Sequence, residues 1–170
     1  MTDQETLDIA VVIGNPNPGG RTTRVGEAVA AAIAAGAPGG SNVETIELAE
    51  IAPVLFEWGN EAVGELTARV AAADVIIAAC PTYKATFTGL LKAFLDNYGN
   101  DGLAGCRAVP VMVGAAAAHA LAPEVHLRPL LVELGASVPS RGLYVLEDQI
   151  DDLDAVVGAW ASAAVPQLTV

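Results

Sequence analysis

Residues 7–23 of the chain read LDIAVVIGNPNPGGRTT. The run Leu7–Ile13 is apolar and rich in β-branched residues, and its short length before a turn-rich segment is typical of a buried strand. The segment Asn15–Gly20 consists of residues that favour turns. An alanine-rich helix, capped by Thr22 or Thr23, is expected to follow as far as about Ala35. The stretch therefore predicts a strand, a tight loop and a helix in direct succession.

The same alternation continues along the 170-residue chain. Further strands are predicted at Val43–Leu48, Val75–Cys80, Ala108–Gly114 and Ser137–Leu146, and further helices at Glu61–Ala73, Gly89–Tyr98 (capped by Thr88), Pro123–Leu134 and Asp151–Val165, with Ile51–Gly59 irregular. Strands that alternate with helices at this spacing form a parallel sheet covered on both faces. We therefore expect one α/β domain over residues 1–170: a flavodoxin-like three-layer sandwich with five parallel strands in the order 2-1-3-4-5.

Charge and hydropathy exclude several classes of protein. The net charge of -12 argues against nucleic acid as a partner, because phosphates need Lys and Arg for neutralisation. The longest apolar run, Val109–Leu121, is too short to span a bilayer and contains Pro110 and His119. The acidic segment Met1–Asp8 lacks the basic region of a signal peptide. We expect a soluble cytoplasmic protein with no membrane partner.

The two cysteines, Cys80 and Cys106, adjoin predicted strands, and neither belongs to a CxxC or His/Cys cluster. This pattern favours buried thiols that act as small hydrophobic residues, and it indicates neither a metal site nor a redox dithiol.

Ligands of such a sheet bind beyond the carboxyl ends of the strands, where the strand order reverses. The loops Gly14–Thr23, Pro81–Thr86 and Gly114–His119 are expected to meet there. The first loop opens a helix, whose free N–H groups and dipole favour an anion. It lacks the P-loop and GxGxxG patterns, so it is either a site for a monophosphate or an ordinary strand–helix turn.

The second loop, Pro81-Thr82-Tyr83-Lys84, can place backbone and ring edges beside a flat heterocycle, although Tyr83 could equally be a packing residue. The stretch 81–92, PTYKATFTGLLK, resembles the signature PxYKxxxSGxLKxxLD of NAD(P)H-dependent FMN reductases, and residues 93–96, AFLD, continue it. Gly14, Pro16, Arg21 and Thr22 match the same family's GSPRxxSRSxxL motif. Residues 114–119, 127–131 and 134–136 are similar to its region GGxxxH…LRPxLxxLGA.

This resemblance covers about residues 7–146, and it is closest to reductases that supply reduced FMN to two-component flavin monooxygenases of the alkanesulfonate type. It implies an oxidoreductase in which hydride passes from the nicotinamide C4 of NADPH or NADH to the flavin N5. No protein acid or base is needed for that step, so the resemblance implies no catalytic side chain and no metal.

The resemblance also implies which residues bind FMN. The phosphate group would be held by Asn15, Asn17, Arg21, Thr22 and Thr23. The ring would be lined by Pro81, Thr82, Tyr83 and Lys84 on one side and by Gly114, Ala115 and His119 on the other.

Three positions depart from the family pattern. Asn15 replaces the usual Ser and Asn17 the usual Arg, which removes a charged contact to the phosphate group. Either FMN binds loosely, as a substrate that is released, or Arg24 compensates. Ala115 stands where Gly is common and could crowd the ring.

Other functions on the same scaffold remain open. The chain could be a quinone, azo or chromate reductase, a non-enzymatic electron carrier like flavodoxin, or a silent partner protein that has kept the fold. The carrier motif TxTxxT is absent from the first loop. Relatives pair through the helices near 89–98 and 123–134, so a homodimer or homotetramer is expected, and a flavin-dependent monooxygenase is a possible partner.

Overall fold

Five parallel strands form the centre of the molecule, and the computed structural model describes residues 6–169 of the chain. The strands are β1 (Leu7–Ile13), β2 (Ser41–Glu47), β3 (Val75–Pro81), β4 (Arg107–Gly114) and β5 (Leu143–Leu146). Their order in the sheet is β2-β1-β3-β4-β5, with every neighbouring pair parallel. The predicted order 2-1-3-4-5 and the flavodoxin-like fold are confirmed.

Helices cover both faces of the sheet. They are α1 (Arg21–Ala35), α2 (Leu48–Ile51), α3 (Glu61–Ala71), α4 (Gly89–Leu95), α5 (Arg128–Glu133) and α6 (Leu153–Leu168). Short 3-10 helices occur at Ala52–Val54, Ala117–His119 and Glu147–Asp152, and a π-helical turn at Pro123–Leu127 leads into α5.

The core consists of two apolar layers, one on each face of the sheet. Alternate residues of β1 show the division: Val11 belongs to the same buried layer as Val29 of α1 and Val157 of α6, whereas Val12 belongs with Phe94 of α4 to the layer on the opposite face. Because β1, β3 and β4 are covered on both faces, they are almost continuously apolar. The edge strand β2 is mostly exposed, as its mixed sequence predicts.

The start of α1 differs from the prediction. Gly20 is the N-cap residue and there is no side-chain cap, so the predicted capping by Thr22 or Thr23 is wrong. Both threonines are buried in the first turn, where the Thr22 hydroxyl accepts a hydrogen bond from Asn15 and the Thr23 hydroxyl donates one to Glu47. By contrast, Thr88 caps α4 as predicted and accepts a hydrogen bond from the Leu91 N–H at 3.1 Å.

The last strand is shorter than predicted, since residues 137–142 are not part of β5. The guanidinium of Arg128 donates to the carbonyls of Val138 and Ser140, each at 2.6 Å, and Glu124 accepts from the Gly142 N–H. These hydrogen bonds satisfy backbone groups of residues 138–142 outside the sheet. Burial alone would raise the pKa of Glu124, but the hydrogen bonds from Arg128 and Gly142 outweigh it and the pKa is lowered.

Several helices also begin or end at residues other than those predicted. The helix predicted to reach Tyr98 ends at Leu95, because the Asn97 side chain binds the Ala93 carbonyl at 2.8 Å and closes the helix. Leu48, predicted as the end of the second strand, begins α2, and the segment predicted as irregular from Ile51 contains the end of α2 and a 3-10 turn. The helix predicted over 123–134 begins as a π turn, and the closing helix runs over 153–168 rather than 151–165.

The two cysteines are free and buried, as predicted. Burial raises the pKa of the Cys80 thiol to about 12, so this group stays protonated at neutral pH. Within residues 6–169, no three His, Cys, Asp or Glu side chains are grouped so that they could hold a metal ion. No helix in that range has the length and apolar character needed to cross a bilayer.

Candidate functional site

The three predicted loops meet at one edge of the sheet, because the parallel strands β1, β3 and β4 all end there. Backbone hydrogen bonds fix their relative positions: the Gly14 N–H donates to the Ala79 carbonyl at 2.8 Å, and the Thr82 N–H donates to the Val113 carbonyl at 2.7 Å. The edge lies where the strand order reverses, so the arrangement has the position of a ligand site.

Asn15 organises the first loop from inside. Its Oδ1 accepts a hydrogen bond from the Asn17 N–H at 3.0 Å, and its Nδ2 donates to Thr22 Oγ1 at 3.2 Å. Asn15 and Thr22 are buried, whereas Asn17 is exposed. Asn15 and Thr22 therefore hold the shape of the loop.

Gly19 and Gly20 bring the chain into α1. Gly19 adopts φ +68°, a conformation that costs glycine little, and Gly20 is the N-cap residue. The N–H groups of the first helical turn have no partners within a helix, so this end of α1 presents donors to the edge of the sheet.

Two carboxylates bind donors of this loop. Glu47, the last residue of β2, accepts from the Gly19 N–H at 3.0 Å and from the Thr23 hydroxyl at 2.7 Å. Glu147, directly after β5, forms an ion pair with Arg21 at 2.9 Å. Arg24 lines a shallow cavity together with Asp151, Asp152 and Asp154. Acidic side chains thus lie beside the loop and line one cavity with Arg24, the residue that follows it.

Neither Glu47 nor Glu147 was predicted as a site residue from the sequence. A signal for Glu47 was present, because the order 2-1-3-4-5 puts the end of β2 beside the loop that follows β1. In the register of the two strands Ile13 is paired with Glu47. The strand order therefore places a polar residue at that strand end near Gly14–Thr23.

The second loop is a tight hairpin. The N–H groups of Tyr83 and Thr86 each donate to the other residue's carbonyl, at 2.9 and 3.2 Å. Lys84 (φ 52°) and Ala85 (φ 67°) are both left-handed, a conformation that costs a residue other than glycine about 1–2 kcal/mol. The hairpin holds Lys84 and Tyr83 out from the sheet, with 47% of Tyr83 exposed.

Thr82 and Gly114 adjoin each other between the second and third loops. Thr82 Oγ1 is buried and has no hydrogen-bond partner among residues 6–169. A Cβ on Gly114 would lie 3.1 Å from that oxygen and would collide with the ring and hydroxyl of Tyr144. The Tyr144 hydroxyl donates to the Ala116 carbonyl at 2.9 Å and so covers the third loop. Tyr144 was missed because nothing in its own sequence neighbourhood marks it.

The remaining predicted residues lie in the third loop and at the end of β3. Ala115 is exposed, His119 is half-buried in the 3-10 helix Ala117–His119, and Pro81 pairs with Val113 in the sheet.

Thr88 connects the first loop to α4. Its hydroxyl donates to the Gly14 carbonyl at 2.6 Å while it accepts from the Leu91 N–H. A Cβ on Gly14 would lie 2.5 Å from Leu91 Cβ, so helix and loop are in direct contact. The position of the first loop therefore depends on the position of α4.

These features fit a flavin nucleotide. The Thr82 hydroxyl is buried, has no hydrogen-bond partner among residues 6–169 and precedes Tyr83, whose ring is partly exposed. The start of α1 offers N–H donors to an anion. The carboxylates of Glu47 and Glu147 oppose a phosphate group, because both are negatively charged and lie beside the first loop.

Comparison with known proteins agrees with this geometry. Residues 7–151 match the family described as NADPH-dependent FMN reductase. An FMN reductase (NADPH) of Pseudomonas putida is 37% identical over 81 residues, which are 48% of this chain and 41% of that protein. The chain therefore aligns with less than half of that relative's length. The NADH-dependent FMN reductase SfnE of Pseudomonas putida is 29% identical, with 86% of this chain and 80% of that protein covered.

A solved structure is similar as well. The apo form of an NADH:FMN oxidoreductase (EMOB) superimposes with a TM-score of 0.79 and 28% identity, covering 92% of this chain and 89% of that one. The sequence match extends over all three loops of the candidate site and most of the sheet. The chain belongs to the NADPH-dependent FMN reductase family.

Proposed function

We propose that the protein is an NAD(P)H-dependent FMN reductase that binds FMN at the edge formed by the loops after β1, β3 and β4. The observation that carries the proposal is the convergence of an anion-binding helix start and the Thr82–Gly114 contact at the point where the strand order reverses. Family membership supports the same function.

In this proposal each loop has a separate task. Arg21, Thr23 and the N–H groups at the start of α1 hold the phosphate end, with Asn15 and Thr22 keeping the loop in shape. Pro81, Thr82, Tyr83 and Lys84 line one side of the ring, and Gly114, Ala115 and His119 line the other. Bound FMN supplies the ability to accept a hydride from the nicotinamide. The chain itself contributes orientation and exclusion of water.

The proposal is tested by incubating the purified protein with NADPH, and separately with NADH, in the presence of excess free FMN. The absorbance of the reduced nicotinamide is followed with time. We expect many turnovers per protein molecule, and comparison of the two nicotinamides measures the preference between them. Heat-unfolded protein is the control for the direct reaction of nicotinamide with flavin.

Two outcomes would contradict the proposal. A yellow protein that retains FMN but oxidises no nicotinamide would favour an electron carrier. A protein that binds no FMN would reject both functions, because each depends on the flavin.

We also propose that the protein forms a homodimer or homotetramer through the helices after β3 and β4. Leu121, Val125 and Val132 are more than half exposed and are spaced to share one side of the segment that ends in α5. Light scattering coupled to size-exclusion chromatography measures the assembly, and the mass of one chain would reject it. We further propose that a flavin-dependent monooxygenase accepts the reduced flavin. We also propose a cytoplasmic location, because two free thiols suit a reducing compartment.

A further inference from the structure

We infer that Tyr144 is a positioning residue of the flavin site, which holds the third loop at the edge of the sheet through a hydrogen bond to the Ala116 carbonyl. The inference rests on the proposed function, since it concerns the loop that would line one side of the ring. It adds to the site a residue of β5, a strand that leads into none of the three loops. The contact that carries it is the bond from the Tyr144 hydroxyl to the Ala116 carbonyl, at 2.9 Å.

The third loop has few attachments of its own. Residues 115–118 are four alanines, and all four are exposed. An alanine side chain has no hydrogen-bonding group, so these residues cannot bind the rest of the molecule through their side chains. Within residues 6–169, the Tyr144 hydroxyl is the one side-chain group that binds the backbone of this stretch. The position of the loop therefore depends on that hydroxyl.

The same carbonyl also fixes the turn that follows. Ala116 is the N-cap residue of the 3-10 helix Ala117–His119, and its carbonyl accepts a hydrogen bond from the His119 N–H at 3.1 Å in addition to the one from Tyr144. A carbonyl oxygen has two lone pairs, and both are used here. Tyr144 thus holds the start of the turn that carries His119, one of the residues proposed to line the ring.

Tyr144 is itself held firmly. It is paired with Met112 in the sheet, and its ring packs against the apolar layer that contains Phe94. A Cβ on Gly114 would lie 2.1 Å from the Tyr144 hydroxyl oxygen and 3.1 Å from Thr82 Oγ1. The phenol therefore lies against Gly114, close to the unpartnered hydroxyl of Thr82 in the second loop. Because the core anchors the ring, the hydroxyl can hold the third loop at a fixed distance from the second.

The test removes the hydroxyl and keeps the ring. FMN is titrated against the wild-type protein and the Tyr144→Phe variant, and dissociation constants are obtained from the quenching of flavin fluorescence. The visible absorbance spectrum of the bound flavin is recorded for each protein. Tyr98→Phe is the matched control, because the Tyr98 hydroxyl also donates to a backbone carbonyl, that of Thr67 in α3, at 3.1 Å and outside the three loops.

We expect the dissociation constant of FMN to rise about threefold to tenfold in Tyr144→Phe, the effect of losing one neutral hydrogen bond that holds the loop. The spectrum of the bound flavin should also change, because the loop beside the ring moves. Both quantities should keep their wild-type values in Tyr98→Phe, which loses a hydrogen bond of the same kind. A dissociation constant within about twofold of the wild-type value in Tyr144→Phe, an unchanged spectrum, or an equal change in Tyr98→Phe would overturn the inference.

The same proteins separate this inference from the proposed function. If FMN binding and its spectrum change as expected but the wild-type protein oxidises no nicotinamide, the reductase assignment fails and the role of Tyr144 stands. If nicotinamide is oxidised and Tyr144→Phe binds FMN as the wild-type protein does, the role of Tyr144 fails and the reductase stands. If FMN binds to none of the folded proteins, both are rejected.

Discussion

Arg21→Ala should weaken FMN binding by about tenfold to a hundredfold, the loss expected for one charged hydrogen bond of roughly 1.5–3 kcal/mol. Arg21 is the first residue of α1, where its guanidinium adds charge to the free N–H groups of the helix start. Its partner, Glu147, is 41% exposed, so a phosphate group can compete for the guanidinium.

Folding should be almost unaffected by the same change. The side chain of Arg21 is 56% exposed, and a surface ion pair of this kind contributes about 0–1 kcal/mol. Fluorescence titration with FMN and thermal unfolding of the ligand-free protein measure the two effects separately.

Arg69→Ala is the matched control for this prediction. Arg69 is 57% exposed and also forms a surface ion pair with a glutamate, Glu44. It lies in the last turn of α3, outside the three loops of the candidate site. FMN affinity should not change in Arg69→Ala. Unchanged affinity in Arg21→Ala would remove Arg21 from the phosphate site, and a large loss of thermal stability would show that its main role is structural.

The sheet could be predicted from the sequence because its signals are local. The run Leu7–Ile13 is a strand over the whole predicted range, since continuous burial requires an apolar residue at every position. The prediction fails at residues 137–142, where Pro139 and Gly142 disfavour a strand and the chain is not part of β5. Ser137 still forms a bridge with Arg107, but the Val138 and Ser140 carbonyls and the Gly142 N–H are bound by the side chains of Arg128 and Glu124, which are distant in sequence.

The candidate site also has parts that local sequence predicts and parts that depend on contacts between distant segments. The loops Gly14–Thr23 and Pro81–Thr86 could be located from turn chemistry and from the strand order. Glu47 could not be assigned a role, because its hydrogen bonds to Gly19 and Thr23 join segments 24 or more residues apart. Tyr144 likewise donates a hydrogen bond to the carbonyl of Ala116, which lies 28 residues earlier in the chain. The strand order puts the end of β2 near the first loop, but no pattern within its own segment shows what Glu47 binds.

Gly14→Ala should destabilise the fold by about 1–3 kcal/mol, the usual cost of adding a methyl group to a closely packed region. The new Cβ would lie 2.5 Å from Leu91 Cβ and 3.3 Å from Cys80 Cβ. Leu91 is fully buried, and a Cβ atom cannot rotate away as the end of a side chain can. Helix α4 or the first loop must therefore shift.

The shift should also impair flavin binding, because the Thr88 hydroxyl joins the Gly14 carbonyl to the start of α4. Thermal unfolding of the ligand-free protein gives the stability change, and about 1 kcal/mol corresponds to roughly 2–4 °C for a domain of this size. Titration with riboflavin gives the change in binding without involving the phosphate group.

Gly64→Ala is the same substitution with the opposite expected sign. Gly64 lies within α3 and a Cβ there would meet nothing within 4 Å, so the gain in helix propensity should raise stability by about 0.5–1 kcal/mol. Flavin affinity should be unchanged, because α3 contributes no residue to the three loops. If Gly14→Ala matched the wild-type melting temperature while Gly64→Ala raised it, the contact between α4 and the first loop would not be the rigid support that positions the site.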